Sequence, residues 1–267
     1  MAKRPANPVG HPTRGKTALN RLRQIDIFVA LALPGAITNG SPLVVDVGFG
    51  AYAWTTLEMW QRWLLLNSTL RVLGIEIEPQ RVEAAFPYAD PPAVNFKLGG
   101  FNVLDATGGE QVRLIRAYNV LRQYEEAAVP TAIDTMGRAL ESNGVLIEGT
   151  SNPTGRLVAF DVYRKESANL GRLRHIALVF GTNFRRQVDP GDFQAILPKR
   201  LIHRMREAVP QAFFGAWEET YRFMRGQGHS GRHQWERAAL LLRQRYPVDI
   251  RPRILGRGYL VIYDTLT

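Results

Sequence analysis

The sequence contains no cysteine, which excludes disulfides, thiolate metal ligation and a cysteine nucleophile in any compartment. It also lacks a long apolar run. The longest clean one, Ile27 to Leu33, falls far short of the roughly 20 residues that span a bilayer. Lys3 and Arg4 meet no nearby apolar segment of the kind a signal peptide carries, so a cytoplasmic protein with no membrane partner is expected. Acid is scarce at both ends. Residues 1–24 hold Lys3, Arg4, Arg14, Lys16, Arg21 and Arg23 and no carboxylate, and residues 199–257 hold 13 basic against 5 acidic side chains, whereas residues 25–198 hold 18 acidic and 15 basic ones. The net charge of +10 thus flanks a slightly acidic body, the pattern of a ligand-binding or catalytic domain with polyanion-attracting surfaces added to it. The composition does not fix an oligomeric state.

What is present is the composition of a globular chain: 267 residues, 45% hydrophobic and 22% charged, enough for one domain with elaborations. Residues 1–20 are rich in Pro, Gly and Lys/Arg and read as a flexible basic arm. Residues 21–34 form an amphipathic helix ended by Pro34-Gly35. From 43 to 150, short apolar runs alternate with helical patterns. Strands are expected at 43–47, 71–77, 94–98, 112–118 and 145–149, with helices after Gly50, at 78–86 and at 130–141, the last closed by Asn143-Gly144. That rhythm predicts a doubly wound, mostly parallel sheet covered on both faces. Residues 151–191 read as a hairpin region with strands 157–164 and 173–182. Residues 192–267 read as a helical elaboration with a final strand near 259–263.

Two motifs carry chemistry. Val44-Val45-Asp46-Val47-Gly48-Phe49-Gly50 is a strand ending in an acid and a glycine turn, which lets a ligand approach the main chain and the free N–H groups of the next helix. Leu73-Gly74-Ile75-Glu76 places a second acid at the end of the next strand, where a carboxylate can accept both hydroxyls of a ribose. On these residues the chain resembles the class I S-adenosylmethionine-dependent methyltransferases over residues 43 to about 150, with Phe96-Lys97-Leu98-Gly99-Gly100-Phe101-Asn102 similar to the third motif and the segment from Leu114 to Tyr124 similar to the end of the fourth strand.

The resemblance implies a seven-stranded Rossmann-like sheet with one antiparallel strand, and S-adenosylmethionine as cofactor. It implies Asp46, Gly48, Phe49 and Gly50 at the methionine part, Glu76 and Ile77 at the ribose, and Gly100, Phe101 and Asn102 beside the adenine. Asn119, Arg116 and Arg122 would hold the methyl acceptor. Two departures stand out: Tyr52 replaces the third glycine of the turn, and no acid follows the third strand. The Asp46 before the turn and the missing later glycine disfavour a Rossmann dehydrogenase.

Other matches carry less. Gly10-His11-Pro12-Thr13-Arg14-Gly15-Lys16-Thr17 fits the phosphate-loop pattern, but two prolines and no apolar strand precede it. Asp90-Pro91-Pro92 precedes the third strand and reads as a turn, and the five histidines are too scattered for a metal site, so no metal is expected. The basic flanks favour RNA (tRNA or rRNA) as acceptor, with Arg14, Lys16, Arg21 and Arg23 as backbone contacts. A small metabolite capped by 192–246 is the alternative within the same enzyme class, and a non-catalytic nucleic-acid binder the alternative outside it.

Overall fold

The computed structural model describes residues 7–166, 172–264 and 266. Its eight strands are β1 Leu43–Val47, β2 Arg71–Glu76, β3 Val94–Leu98, β4 Val112–Tyr118, β5 Leu140–Ser151, β6 Leu157–Lys165, β7 Leu173–Thr182 and β8 Tyr259–Ile262. The helices are α1 Arg23–Ala32, α2 Gly35–Thr38, α3 Trp54–Leu64, α4 Pro79–Ala85, α5 Val103–Ala106, α6 Val129–Gly137, α7 Lys199–Ile202, α8 Ala208–Gly226, α9 Gly231–Leu242 and α10 Pro252–Leu255. One sheet contains every strand in the order β3-β2-β1-β4-β5-β6-β7-β8.

Strands β1 to β5 are parallel, and β6, β7 and β8 each run antiparallel to the preceding strand. Six strands therefore point one way and two the other. The sheet is doubly wound as expected but has eight strands where seven were implied, because the hairpin and the final strand extend the β5 side in simple succession. β1 is buried along its whole length, as a strand covered on both faces requires.

Helices α1, α2 and α3 close one face: Ile25, Phe28, Ile37, Met59 and Trp63 join Val44, Val72, Ile147 and Phe160 in one core. α5 and α6 cover the other face over β1, β4 and β5. The aromatic stripes of the C-terminal segment form a second core there, in which Trp217, Tyr221 and Trp235 pack on Phe180, Leu260 and Ile262. Residues 192–246 thus clad β6 to β8. Of these residues, Ala195 and Ile196 reach the cavity at the carboxyl ends of the strands. Asn143-Gly144 was expected to end a helix; α6 already stops at Gly137, and the pair lies inside β5, with Asn143 in the left-handed region at φ 62°.

Candidate functional site

The strand order reverses at β1, with β2 on one side and β4 on the other, and in open α/β sheets the crevice at the carboxyl ends of such strands is where ligands bind. Here β1 gives way to Gly48 (φ 73°) and Gly50 (φ 86°), conformations that favour glycine. Space is as tight as the dihedrals. A Cβ on Gly48 would lie 2.6 Å from a Val120 methyl, and one on Gly50 would lie 2.8 Å from the Gly15 carbonyl oxygen. The Gly48 N–H donates to the Ile75 carbonyl at 2.7 Å. The Gly50 N–H donates to the Glu76 carboxylate at 2.9 Å, which also accepts the N–H groups of Ile77 (2.9 Å) and Glu78 (3.3 Å) and faces Arg81 at 3.5 Å. The structure therefore joins the two sequence motifs directly, with Glu76 only 1% exposed.

The basic arm does not stand free of the body. From Asn7 to Gly15 it is laid across the carboxyl ends of the strands. The Val9 carbonyl accepts the Phe101 N–H at 2.8 Å and the Val9 N–H donates to Asn102 Oδ1 at 2.9 Å. His11 stacks on the Tyr124 ring at 3.7 Å and exchanges backbone hydrogen bonds with its hydroxyl. Arg81 donates to the Thr13 carbonyl, and the Ala51 N–H donates to the Gly15 carbonyl. The arm thus lies over Phe101 and Asn102, with Gly100 packed against Val9 and Ile77 beside Gly10.

Beside this covered half, a cavity of about 430 Å³ opens between the arm, the β1 turn and the ends of β4 and β5. Asn119 sits at its wall with φ 62°. Its amide oxygen accepts the Ser151 N–H at 2.9 Å and its amide nitrogen reaches Ser151 Oγ at 3.2 Å. Arg21 donates to the same hydroxyl at 3.1 Å, and burial lowers its pKa. Arg122 lines the cavity and donates to the Leu197 carbonyl. Burial lowers its pKa against the pull of Glu148. Arg14, Lys16, Gly48, Phe49 and Gly50 also line it, and the hydroxyls of Thr17 and Thr150 are buried at its wall without a hydrogen-bond partner.

Two expectations need correction. Arg116 does not face the cavity: it is fully buried, with Nε and Nη2 on the two Asp46 oxygens at 2.9 and 2.8 Å, Nη1 on Asp26 at 2.6 Å, and Nη2 also on the Thr55 carbonyl. No donor fork remains for an acceptor. Although burial opposes its charge, Asp46 and Asp26 raise its pKa. Asp46 lines the cavity, but Arg116 and the Thr56 hydroxyl (2.6 Å) occupy its carboxylate, so it anchors the turn from below.

Sequence reasoning missed a buried polar group on the antiparallel side. Glu148 lies opposite Asp161 in the β5–β6 register, and Asp161 is held by His175 at 2.8 Å and by Arg200. Burial and the Asp161 charge push Glu148 up to about 8. Its only signal was a carboxylate inside the apolar run from Val145 to Gly149. Among the described residues no group of three or more His, Asp or Glu side chains could hold a metal ion, and no helix is long and apolar enough to cross a membrane.

No protein-family model matches the chain, and no curated protein does. Among solved structures it is similar to the magnesium protoporphyrin IX methyltransferase ChlM from Synechocystis PCC 6803 with bound SAH (17% identity, 49% of this chain and 55% of that one, TM-score 0.37). It is also similar to the plantazolicin methyltransferase BamL in complex with a triazolic desmethylPZN analog and SAH (14%, 49% and 46%, 0.38). A third is human N-acetylserotonin methyltransferase in complex with SAM (16%, 46% and 33%, 0.35). The chain spans between about a third and about half of the length of these proteins.

Proposed function

We propose that this protein is an S-adenosylmethionine-dependent methyltransferase with RNA as its acceptor. The observation that carries the donor reading is the Gly50–Glu76 hydrogen bond, which sets a glycine turn and a strand-end carboxylate together at the switch point of the sheet, next to a cavity of about 430 Å³. Around that cavity, the Gly48–Gly50 turn leaves room for the donor's methionine end, and Arg14, Lys16 and Arg21 suit its carboxylate. For the adenosyl end, Glu76, Phe101 and Asn102 present the right groups, but Val9 and its neighbours now hold the last two. Those residues fit the donor once residues 9–13 step aside.

When bound, S-adenosylmethionine supplies an activated methyl group on a sulfonium, whose transfer demands in-line approach above all. The chain's own part is positioning. Asn119 and Ser151 hold each other rigid at the cavity wall, Arg122 brings positive charge, and the unpartnered Thr17 and Thr150 hydroxyls are available to an acceptor. Arg14, Lys16 and Arg21 border this cavity and Arg23 borders the next one along the same edge, which supports an acceptor with a phosphate backbone. Calorimetry with S-adenosylmethionine, S-adenosylhomocysteine and ATP tests the donor, with binding expected for the first two alone. Filter binding of bulk tRNA and rRNA over a salt series tests the acceptor. A flat dependence of log affinity on log salt would move the assignment to a small metabolite.

A further inference from the structure

Because β7 runs in the same direction as β1 to β5, its carboxyl end lies on the same edge of the sheet, and a second cavity of about 410 Å³ opens there. Arg23 from α1, Arg156 from the β5–β6 turn, Arg185 from the loop after β7, Arg232 from the first turn of α9 and Arg257 from the turn before β8 all line it, and no carboxylate does. These five arginines come from five separate elements. None of them makes an ion pair or a side-chain hydrogen bond among the described residues, whereas Arg62, Arg113, Arg116, Arg200 and Arg251 are each paired with an acid. Convergent like charges without a counter-charge repel one another and destabilise the fold unless an anion neutralises them.

A second observation at the same place is independent of charge. Phe184, which lines the cavity, takes φ 55°, a left-handed conformation that is strained for a bulky side chain and that collects at ligand sites. It also presents its ring to the Arg232 guanidinium at 5.6 Å, which fixes that charge at the rim.

We infer that this cavity is a phosphate-binding site taking a ligand with at least two phosphate groups, either consecutive phosphates of an RNA backbone or a small phosphorylated molecule. Guanidinium forks match phosphate oxygens bidentately, and the volume suits a ligand of that size. The first source deepens the RNA reading, because the edge would carry the backbone past the methyl-transfer cavity. The site itself does not depend on methyl transfer.

The test uses the full chain and two probes, inorganic tripolyphosphate and a fluorescein-labelled ten-nucleotide oligouridylate. Arg156→Glu/Arg257→Glu, and the milder Arg156→Gln/Arg257→Gln, are compared with Arg206→Glu/Arg222→Glu, an exposed pair outside the cavity. The cavity variants should weaken probe binding at least about tenfold, the loss of one or two charge-assisted hydrogen bonds, and the control less than about twofold. With oligouridylate, the Gln variant should also lower the log–log salt slope by about 1.4, for two single-strand phosphate contacts removed. Tighter binding of the oligonucleotide than of tripolyphosphate identifies a nucleic-acid backbone; equal or weaker binding identifies a small phosphorylated ligand. No binding by the wild type, or equal weakening in the control pair, overturns the site. Calorimetry with S-adenosylhomocysteine on the same variants should be unchanged. Its failure with the wild type would sink the donor reading and leave the phosphate result standing.

Discussion

Arg116 is the residue whose role changed most between sequence and structure. In the sequence it sits near a presumed acceptor site; in the fold it stands opposite Asp46 in the β1–β4 register, and α1 brings Asp26 against it. Arg116→Ala leaves two carboxylates buried without their main partner, and breaking such a pair costs about 3–5 kcal/mol. Denaturant unfolding should show that loss, and a stability change below about 1 kcal/mol would contradict the structural role. Glu148 gives a pH signature. Its folded pKa, about 8, exceeds the ordinary 4.5, so the folded chain keeps a proton that the unfolded chain releases. That contribution is fully present below about pH 4.5 and fades as pH rises toward 8. Glu148→Gln should flatten the fall in melting temperature between pH 5 and 8, and an unaltered pH profile would count against the assignment.

Among the elements, the arm is the one that departs most from expectation. Its Gly/Pro/Lys composition marks it as unable to form a core of its own, yet its backbone groups find partners along the sheet edge: Val9 on Phe101 and Asn102, Gly15 on Ala51. Such contacts are set by main-chain hydrogen bonds, which leave little trace in side-chain pattern. The phosphate-loop lookalike Gly10 to Thr17 is part of this strap. Among the described residues no strand precedes it, and its residues lie over the β1 turn. A chain lacking residues 2–12 keeps Arg14 to Thr17 but removes the competitor for the Phe101 and Asn102 groups. On the donor reading it should therefore bind S-adenosylhomocysteine about three- to tenfold more tightly, since a closed population taxes apparent affinity. Calorimetry decides it: weaker binding would mean that the arm forms part of the donor site.

At the scale of the whole molecule, both ends of the described chain share one core. Leu22, Ile25 and Phe28 pack with Tyr259 and Val261, and the buried Tyr259 hydroxyl donates to the Gln24 carbonyl at 2.7 Å. The N-terminal helix, the parallel core and the C-terminal strand should therefore unfold as a unit. Tryptophan fluorescence and far-ultraviolet circular dichroism are expected to trace coincident transitions. Tyr259→Phe should lower stability by about 1–2 kcal/mol, because the Gln24 carbonyl and amide lose a buried partner, without separating the two transitions. A C-terminal segment that melts on its own would show two domains in place of one.

The sequence by itself determined the parallel half of the sheet and the meeting of a glycine turn with a strand-end acid. The central strand Leu43–Val47 is buried along its length and apolar but for Asp46, the edge strand Val94–Leu98 buries Val94 and Phe96 in alternation with Asn95 and Lys97, and a turn that bends through positive φ favours glycine, so all three are written locally. Only the tertiary structure decided which charges are internal and which line an open cavity. Arg116 and Arg23 look alike in the sequence, but one is closed in by Asp46 and Asp26 and the other is left with four more arginines around an acid-free cavity. The reason is that electrostatic roles depend on neighbours through space, and these neighbours lie as far apart in the chain as Arg23 and Arg257.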